Sequence, residues 1–283
     1  MASKDIILFI GDDVRPACPD FLLAHVFAHQ MMPQKNVAVL GKTTWPDQPN
    51  EDVNFVMSHI QGAGEEQFAY YRMQPYTWLD WRHFYTANVS IKRNVLNDWL
   101  TDGFLDAMFP KEDGELAYRL NAVYEDGFKI LYAPAAVATH HHPYSVKAFI
   151  RRQALCGSMA HAFLALHPEA AELNAVAEIQ RCLSAPEAGE QASIEDYVSI
   201  IEGLKAWPSV IEQSHKLGSQ NWHADLLAAV FELSYLEGFL LASTGPDCNT
   251  LAAYQYLLRQ FQTRMSRAAT IEVFGQFPAF AVI

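Results

Sequence analysis

Residues Ile6-Ile7-Leu8-Phe9-Ile10 form an unbroken apolar run that stops abruptly at Gly11-Asp12-Asp13. Branched and aromatic side chains in so short a run read as a buried strand. Acids at the end of such a strand sit at its carboxyl edge, which in open α/β sheets is where ligands bind. The run therefore predicts an α/β sheet near the start of the chain, with Asp12 and Asp13 beside a pocket. Adjacent acids after a strand also suit plain turn chemistry.

Charge concentrates again at Glu112, Asp113 and Glu115, three carboxylates within four residues. Leu116 and Leu120, four apart, predict a short amphipathic helix after Gly114. A helix start stabilises negative charge through free backbone N–H groups and the macrodipole, which explains acids there without any chemistry. Glu115 and Arg119 are spaced for an intrahelical ion pair.

Between these acids, residues 16–35 read as a helix with Phe21, Leu22, His25, Val26 and His29 at spacings of three and four. His25 and His29 share a face and could ligate a metal, but no Glu stands between them as in a zincin. A strand over Asn36–Leu40 follows, and the loop Gly41–Asn50 with Trp45-Pro46 is expected to border the site. Residues 51–82 are rich in rings that suit either a core or sugar stacking. Phe84–Arg93 places Asn88 and Ser90 between apolar residues, as in a strand turning beside a pocket. Lys129–Tyr132 reads as another strand, and His140-His141-His142 follow the Pro134–Thr139 connection. Alternate side chains of extended backbone point opposite ways, so at most two of the three histidines can share one ion.

With 20 Lys and Arg against 32 Asp and Glu, the net charge of −12 argues against a broad nucleic-acid surface. Hydrophobic residues are 51% and charged ones 18%, enough apolar surface for a packed core. Cys18, Cys156, Cys182 and Cys248 are scattered without a CxxC pair, which predicts reduced thiols in a cytoplasmic protein, at most peripheral to the inner membrane. No signal-peptide pattern and no apolar run of about 18 residues is evident. From about residue 159 the texture turns to Ala- and Leu-rich helical periodicity. Helical segments are expected at Ala160–Leu183, Ile194–Leu217, Trp222–Ser243 and Thr250–Phe274, separated by Pro and Gly breakers. The domain reading is thus a sheet domain over 1–158 and an all-helical region over 159–283.

In this order, the blocks Ile6–Asp13, Phe84–Arg93, Phe109–Leu120 and Gly127–Pro134 with His140–His142 resemble the catalytic half of family 2 glycosyltransferases of the GT-A type. Phe149–Arg152 and Gly157 are similar to that family's closing segment. The resemblance spans residues 4–158 and implies a partial GT-A (Rossmann-like) sheet domain. It implies a metal-dependent, inverting glycosyltransferase that moves a sugar from a nucleotide-sugar donor to a glycan, lipid-linked or protein acceptor, with no nucleic acid as partner.

Residue by residue, Asp13 matches the metal-facing Asp of an Asp-x-Asp motif, with Asp12 beside it and Gly11 where many members carry the first Asp. Asp113 matches the general base, with Glu112 as its orienting neighbour. Asn88 matches a residue near the donor sugar. His140 matches a histidine that helps hold the metal or diphosphate, and His142 a second, less regular one. Arg152 can bridge to diphosphate oxygens or serve an ion pair. Mg²⁺ or Mn²⁺ is the implied cofactor. The family's nucleotide-binding half precedes its metal-binding strand, which here opens at residue 5. A separate chain supplying that half is one expectation, and a catalytically incomplete protein serving as an interaction or scaffold module is the other.

Overall fold

The computed structural model describes residues 5–47, 53–62, 67, 69–98, 103–173, 208–209, 212 and 222–243. The chain divides into two compact units, Met1–Tyr144 and Ser145–Ile283. The first contains β1 (Ile6–Ile10), β2 (Val14–Pro16), α1 (Phe21–Met31), β3 (Val37–Thr44), α2 (Phe55–Gln61), β4 (Trp78–Leu79), β5 (Asn88–Lys92), α3 (Glu112–Val123) and β6 (Lys129–His140). The second contains α4 (Val146–Leu166) and α5 (Trp222–Ser243).

The apolar segments of the first unit assemble into one sheet of order β1-β5-β3-β6-β2, with β4 also paired to β6. The β3–β6 pair is parallel and the other pairs are antiparallel, so the unit is a mixed α/β fold. β3 and β6 lie at its centre: Val37, Ala38, Val39 and Leu40 are almost wholly buried. Ala28 of α1 packs on Val37, Val39, Leu131 and Ala133 of one sheet face. The buried strand expected at Ile6–Ile10 is instead an edge strand, its residues only partly buried and Ile10 39% exposed. Apolar runs report hydrophobicity, not whether a neighbour flanks both sides. β3 also runs to Thr44, so residues 41–44 are strand where a loop is expected.

The parallel pair is interrupted. Gly41 pairs with Ala133 but Lys42 pairs with Val137, so Pro134, Ala135 and Ala136 bulge out of the β6 ladder. The Asn88 side chain fills this gap: its Nδ2 donates to the Ala136 carbonyl at 2.9 Å and to the Lys42 carbonyl at 3.2 Å. Gly41 makes this possible, because a Cβ there would overlap both the Asn88 amide and the Ala136 carbonyl oxygen.

Asn88 also begins a buried relay beneath α1. Asn88 Oδ1 accepts from His25 Nε2 at 3.0 Å, which leaves His25 Nδ1 to accept from Ser90 Oγ at 2.9 Å. His29 Nε2 then donates to Ser90 Oγ at 3.0 Å, and His29 Nδ1 faces the Lys92 ammonium at 3.3 Å. Lys92 also caps the end of α1 by donating to the Met32 and Gln34 carbonyls, both at 2.7 Å. This relay is complete only when both imidazoles are neutral. Burial lowers the His25 pKa, while burial, then the Lys92 charge and His25, bring His29 from 6.5 to about 4.

In the second unit, α4 and α5 pack through Phe149 against Phe231, with ring centroids 4.6 Å apart, and His161 against Phe239. Gly157 and Gly238 lie at a close backbone approach, where a Cβ would overlap Tyr235 and Ala154 carbonyl oxygens respectively. The expected segment Trp222–Ser243 coincides with α5, whereas a boundary at 158 falls inside the continuous helix α4. The segments expected at Ile194–Leu217 and Thr250–Phe274 lie almost wholly outside the described residues. Cys18 and Cys156 are free thiols. No described helix is long and apolar enough to cross a membrane.

Gly41→Ala should destabilise the chain by about 1–3 kcal/mol in chemical denaturation, through overpacking at the bulge. Unchanged stability would mean that Asn88 yields freely. Because the folded His29 pKa lies below its unfolded value, stability should be intact above pH 6.5 and fall as pH drops toward 4. The His29 share is about 3 kcal/mol. His29→Gln, which can still meet Ser90, should flatten this slope in denaturation series at stepped pH.

Candidate functional site

The turn after β1 carries Asp13 to the end of β6. Val14 N–H donates to the Gly11 carbonyl at 3.1 Å, and the Val14–His140 pairing of β2 with β6 continues as His141 N–H donates to the Asp13 carbonyl at 2.7 Å. Asp13 thus lies opposite His141, and its carboxylate reaches the imidazoles on either side. Asp13 Oδ2 is 3.2 Å from His140 Nε2 and 3.1 Å from His142 Nδ1. The three ligand atoms all lie within 4.8 Å of one another.

Donors bonded at about 2.1 Å to one ion stand about 3–3.5 Å apart, so both Asp13–imidazole distances suit a shared cation. Two imidazole nitrogens and one carboxylate favour a borderline divalent ion such as Mn²⁺ over Mg²⁺, which prefers oxygen. His140 is held in place by the Trp45 ring, stacked at 4.8 Å and 13°. Trp45 Nε1 donates in turn to the Met57 carbonyl at 2.6 Å. His142 packs on Tyr144 at 4.6 Å and is the exposed, accessible ligand. A cavity of about 10 Å³, room for one water molecule, adjoins His140 and Trp45 and is lined also by Thr43, Thr44, Gln61 and Gln67.

Asp113 sits in the first turn of α3. Its Oδ1 accepts from Gly114 N–H at 2.7 Å, and Thr86 N–H approaches its Oδ2 at a long 3.5 Å. Burial, and then the adjacent Glu112 charge, raise its carboxyl from 3.8 to about 6. Burial, and then the Asp113 charge, push the Tyr85 phenol up. At neutral pH Asp113 is therefore an ionised carboxylate with a strong demand for a proton, the condition suited to a general base.

Residues 84–88 connect the two groups. Thr86 N–H meets Asp113, while the next residue's carbonyl, Ala87 O, accepts from Gly11 N–H at 3.3 Å, two residues before Asp13. The acid of α3 and the cation ligands after β1 therefore flank one short segment of backbone.

Comparison with protein-family models and with curated proteins finds no match for the chain. What the site can do is read from its geometry.

Of the other expected residues, Asp12 is exposed and stands outside the three-ligand cluster. Glu112 acts on Asp113 through charge, its Oε2 buried without a hydrogen-bond partner. Asn88 is corrected: it is fully buried, with its amide spent on His25, Lys42 and Ala136, and presents nothing to a donor sugar. His25 and His29 are committed to Ser90 and Asn88, which removes them as metal ligands. Arg152 lies on α4 in the second unit. Glu115 and Arg119 form the expected ion pair, at 2.8 Å, with Glu115 1% exposed. His141 turns away to Thr139. Sequence reading missed Tyr85, and its only signal was a ring two residues before Ala87.

Asp13→Ala or His142→Ala should weaken Mn²⁺ binding by about tenfold or more in calorimetry, since even outer partners of metal ligands cost that much. His141→Ala should bind as the parent does. Equal affinities for all three variants would remove the cluster as a cation site.

Proposed function

We propose that the chain carries the catalytic side of a metal-dependent, inverting glycosyltransferase that uses a nucleotide-sugar donor and an acceptor hydroxyl. The observation that supports it best is the arrangement just described: a carboxylate tuned to take a proton and a three-ligand cation cluster, joined by the 84–88 segment. Glycosyl transfer needs both functions at once. Four ordered sequence motifs resembling the family add to the reading, and a GT-A arrangement of the mixed sheet belongs to the same proposal.

In this reading Asp13, His140 and His142 hold the divalent ion, which when bound neutralises the charge of the leaving diphosphate. Asp113 accepts the proton of the acceptor hydroxyl as that oxygen attacks the anomeric carbon. The bond to the diphosphate breaks on the opposite face, with inversion. Burial, and then repulsion from Glu112, keep Asp113 basic against the Gly114 and Thr86 N–H groups, which favour its charged form.

Asp113→Asn in the intact enzyme should leave Mn²⁺-dependent donor binding within about threefold of the parent while lowering transfer by about 10²–10⁴-fold. Retained turnover would take the base role from Asp113. Because only the ionised carboxylate accepts a proton, the rate should rise with pH through about 6 and level off above it. Calorimetry of the chain with nucleoside diphosphate and Mn²⁺ separates this reading from a scaffold, which gives no heat.

A further inference from the structure

His140 is the last residue of β6 and His142 lies beyond it, so the ladder fixes the first of these ligands but not the second. What surrounds them is aromatic. The Trp45 ring stacks on His140 at 4.8 Å and 13°, and His140 lies nearly parallel to His142 at 5.8 Å and 20°. His142 meets Tyr144 at 4.6 Å, and Tyr144 returns edge-on to Trp45 at 6.1 Å. The four rings form a closed circuit in which each imidazole has a ring on either side.

Trp45 and Tyr144 are both buried, and both follow strands that end side by side: β3 and β6 run parallel, with Thr44 opposite Thr139. Neither ring residue belongs to the sheet. α2 fastens them instead. Trp45 Nε1 donates to the Met57 carbonyl at 2.6 Å, Trp45 N–H donates to Gln61 Oε1 at 2.6 Å, and Asn54 Nδ2 donates to the Tyr144 carbonyl at 2.8 Å. Asn54 is also the N-cap of α2, its Oδ1 accepting from the Val56 and Met57 N–H groups. One amide side chain therefore starts the helix with its oxygen and ties it to the ring circuit with its nitrogen. Val56, Met57 and Ile60 are buried, which anchors α2 itself.

A cation site binds more tightly when its ligands are already turned toward the ion, because a side chain that must be ordered on binding lowers affinity. His142 is half exposed, and its packing against His140 and Tyr144 opposes rotation into solvent.

We propose that α2 is the positioning element of the cation site: through Trp45 and Tyr144 it holds His140 and His142 turned toward Asp13, and an ion bound there fastens α2 in return. The proposal rests on the reading of Asp13, His140 and His142 as a cation site. Trp45, Tyr144 and Asn54 are positioning residues, acting through the two imidazoles. Coupling of this kind is reciprocal, so whatever factor a docked α2 adds to affinity, the ion adds to the docking of α2.

The test is Mn²⁺ calorimetry and amide hydrogen exchange on the full chain. Trp45→Ala should weaken Mn²⁺ binding by about 10–100-fold, as loss of support behind a metal ligand does. Trp45→Phe, which restores a ring against His140, should recover most of that loss. Saturating Mn²⁺ should slow exchange of the α2 amides in the parent but not in Asp13→Ala. A merely structural tryptophan would lower stability and move neither readout. Equal Mn²⁺ affinity in the parent and Trp45→Ala, or α2 exchange indifferent to bound Mn²⁺, overturns the proposal and leaves the cation site standing. A parent that binds no Mn²⁺ removes the site, and the proposal with it. Should Trp45→Ala lose the sheet, seen as rapid exchange of the amides of residues 37–40, the exchange comparison of the parent with Asp13→Ala decides alone.

Discussion

One amide group carries the architecture of the first unit. Where β6 leaves the ladder of β3 for three residues, carbonyl oxygens lose their strand partners in a dry interior, and such groups cost about 1–3 kcal/mol each when unpaired. The Asn88 side chain answers two of them and anchors the histidine relay with its remaining atom. Polar groups beneath α1 are thus tolerated because each donor has an acceptor, and because neither imidazole carries charge.

The functional chemistry depends on that frame while needing opposite surroundings. Asn88 points into the interior, and two residues earlier Thr86 offers its backbone N–H to Asp113. The 84–88 segment therefore has one side sealed in the core and another bordering the acid. Asp113 owes its altered affinity for protons to poor solvation, the largest of its perturbing influences. The cation cluster is wetter: His142 is half exposed and Asp13 one third exposed, open enough for a ligand to enter.

Much of this was legible in the chain. The central strands, α1 and α3 announced themselves by apolar spacing, and Asp13 by ending an apolar run. Strand alternation at His140–His142 implied that His141 would point away from its neighbours, and it bonds Thr139. What could not be read was context. Asn88 looked like a pocket residue because a polar group between apolar ones is equally a ligand contact or a buried tie, and only the missing side chain at Gly41 distinguishes them. The edge position of β1 was hidden for a similar reason, since hydrophobicity does not reveal how many strands flank a segment. The helix periodicity that begins the second unit starts at Val146, before the Ala-rich texture becomes visible.

The bulge at Pro134–Ala136 also acts as a phase shift. Before it, odd-numbered Leu131 and Ala133 pack on the α1 side of the sheet; after it, even-numbered Ala136 and Ala138 do. The interruption therefore exchanges the two faces of the remaining strand, and with them the parity of everything downstream. His140 and His142 share their direction with Ala136 and Ala138 by counting alone. A loop one residue shorter or longer would turn the same three histidines over and present His141 instead, so in this chain the ligand set is written in a length as much as in an amino-acid identity.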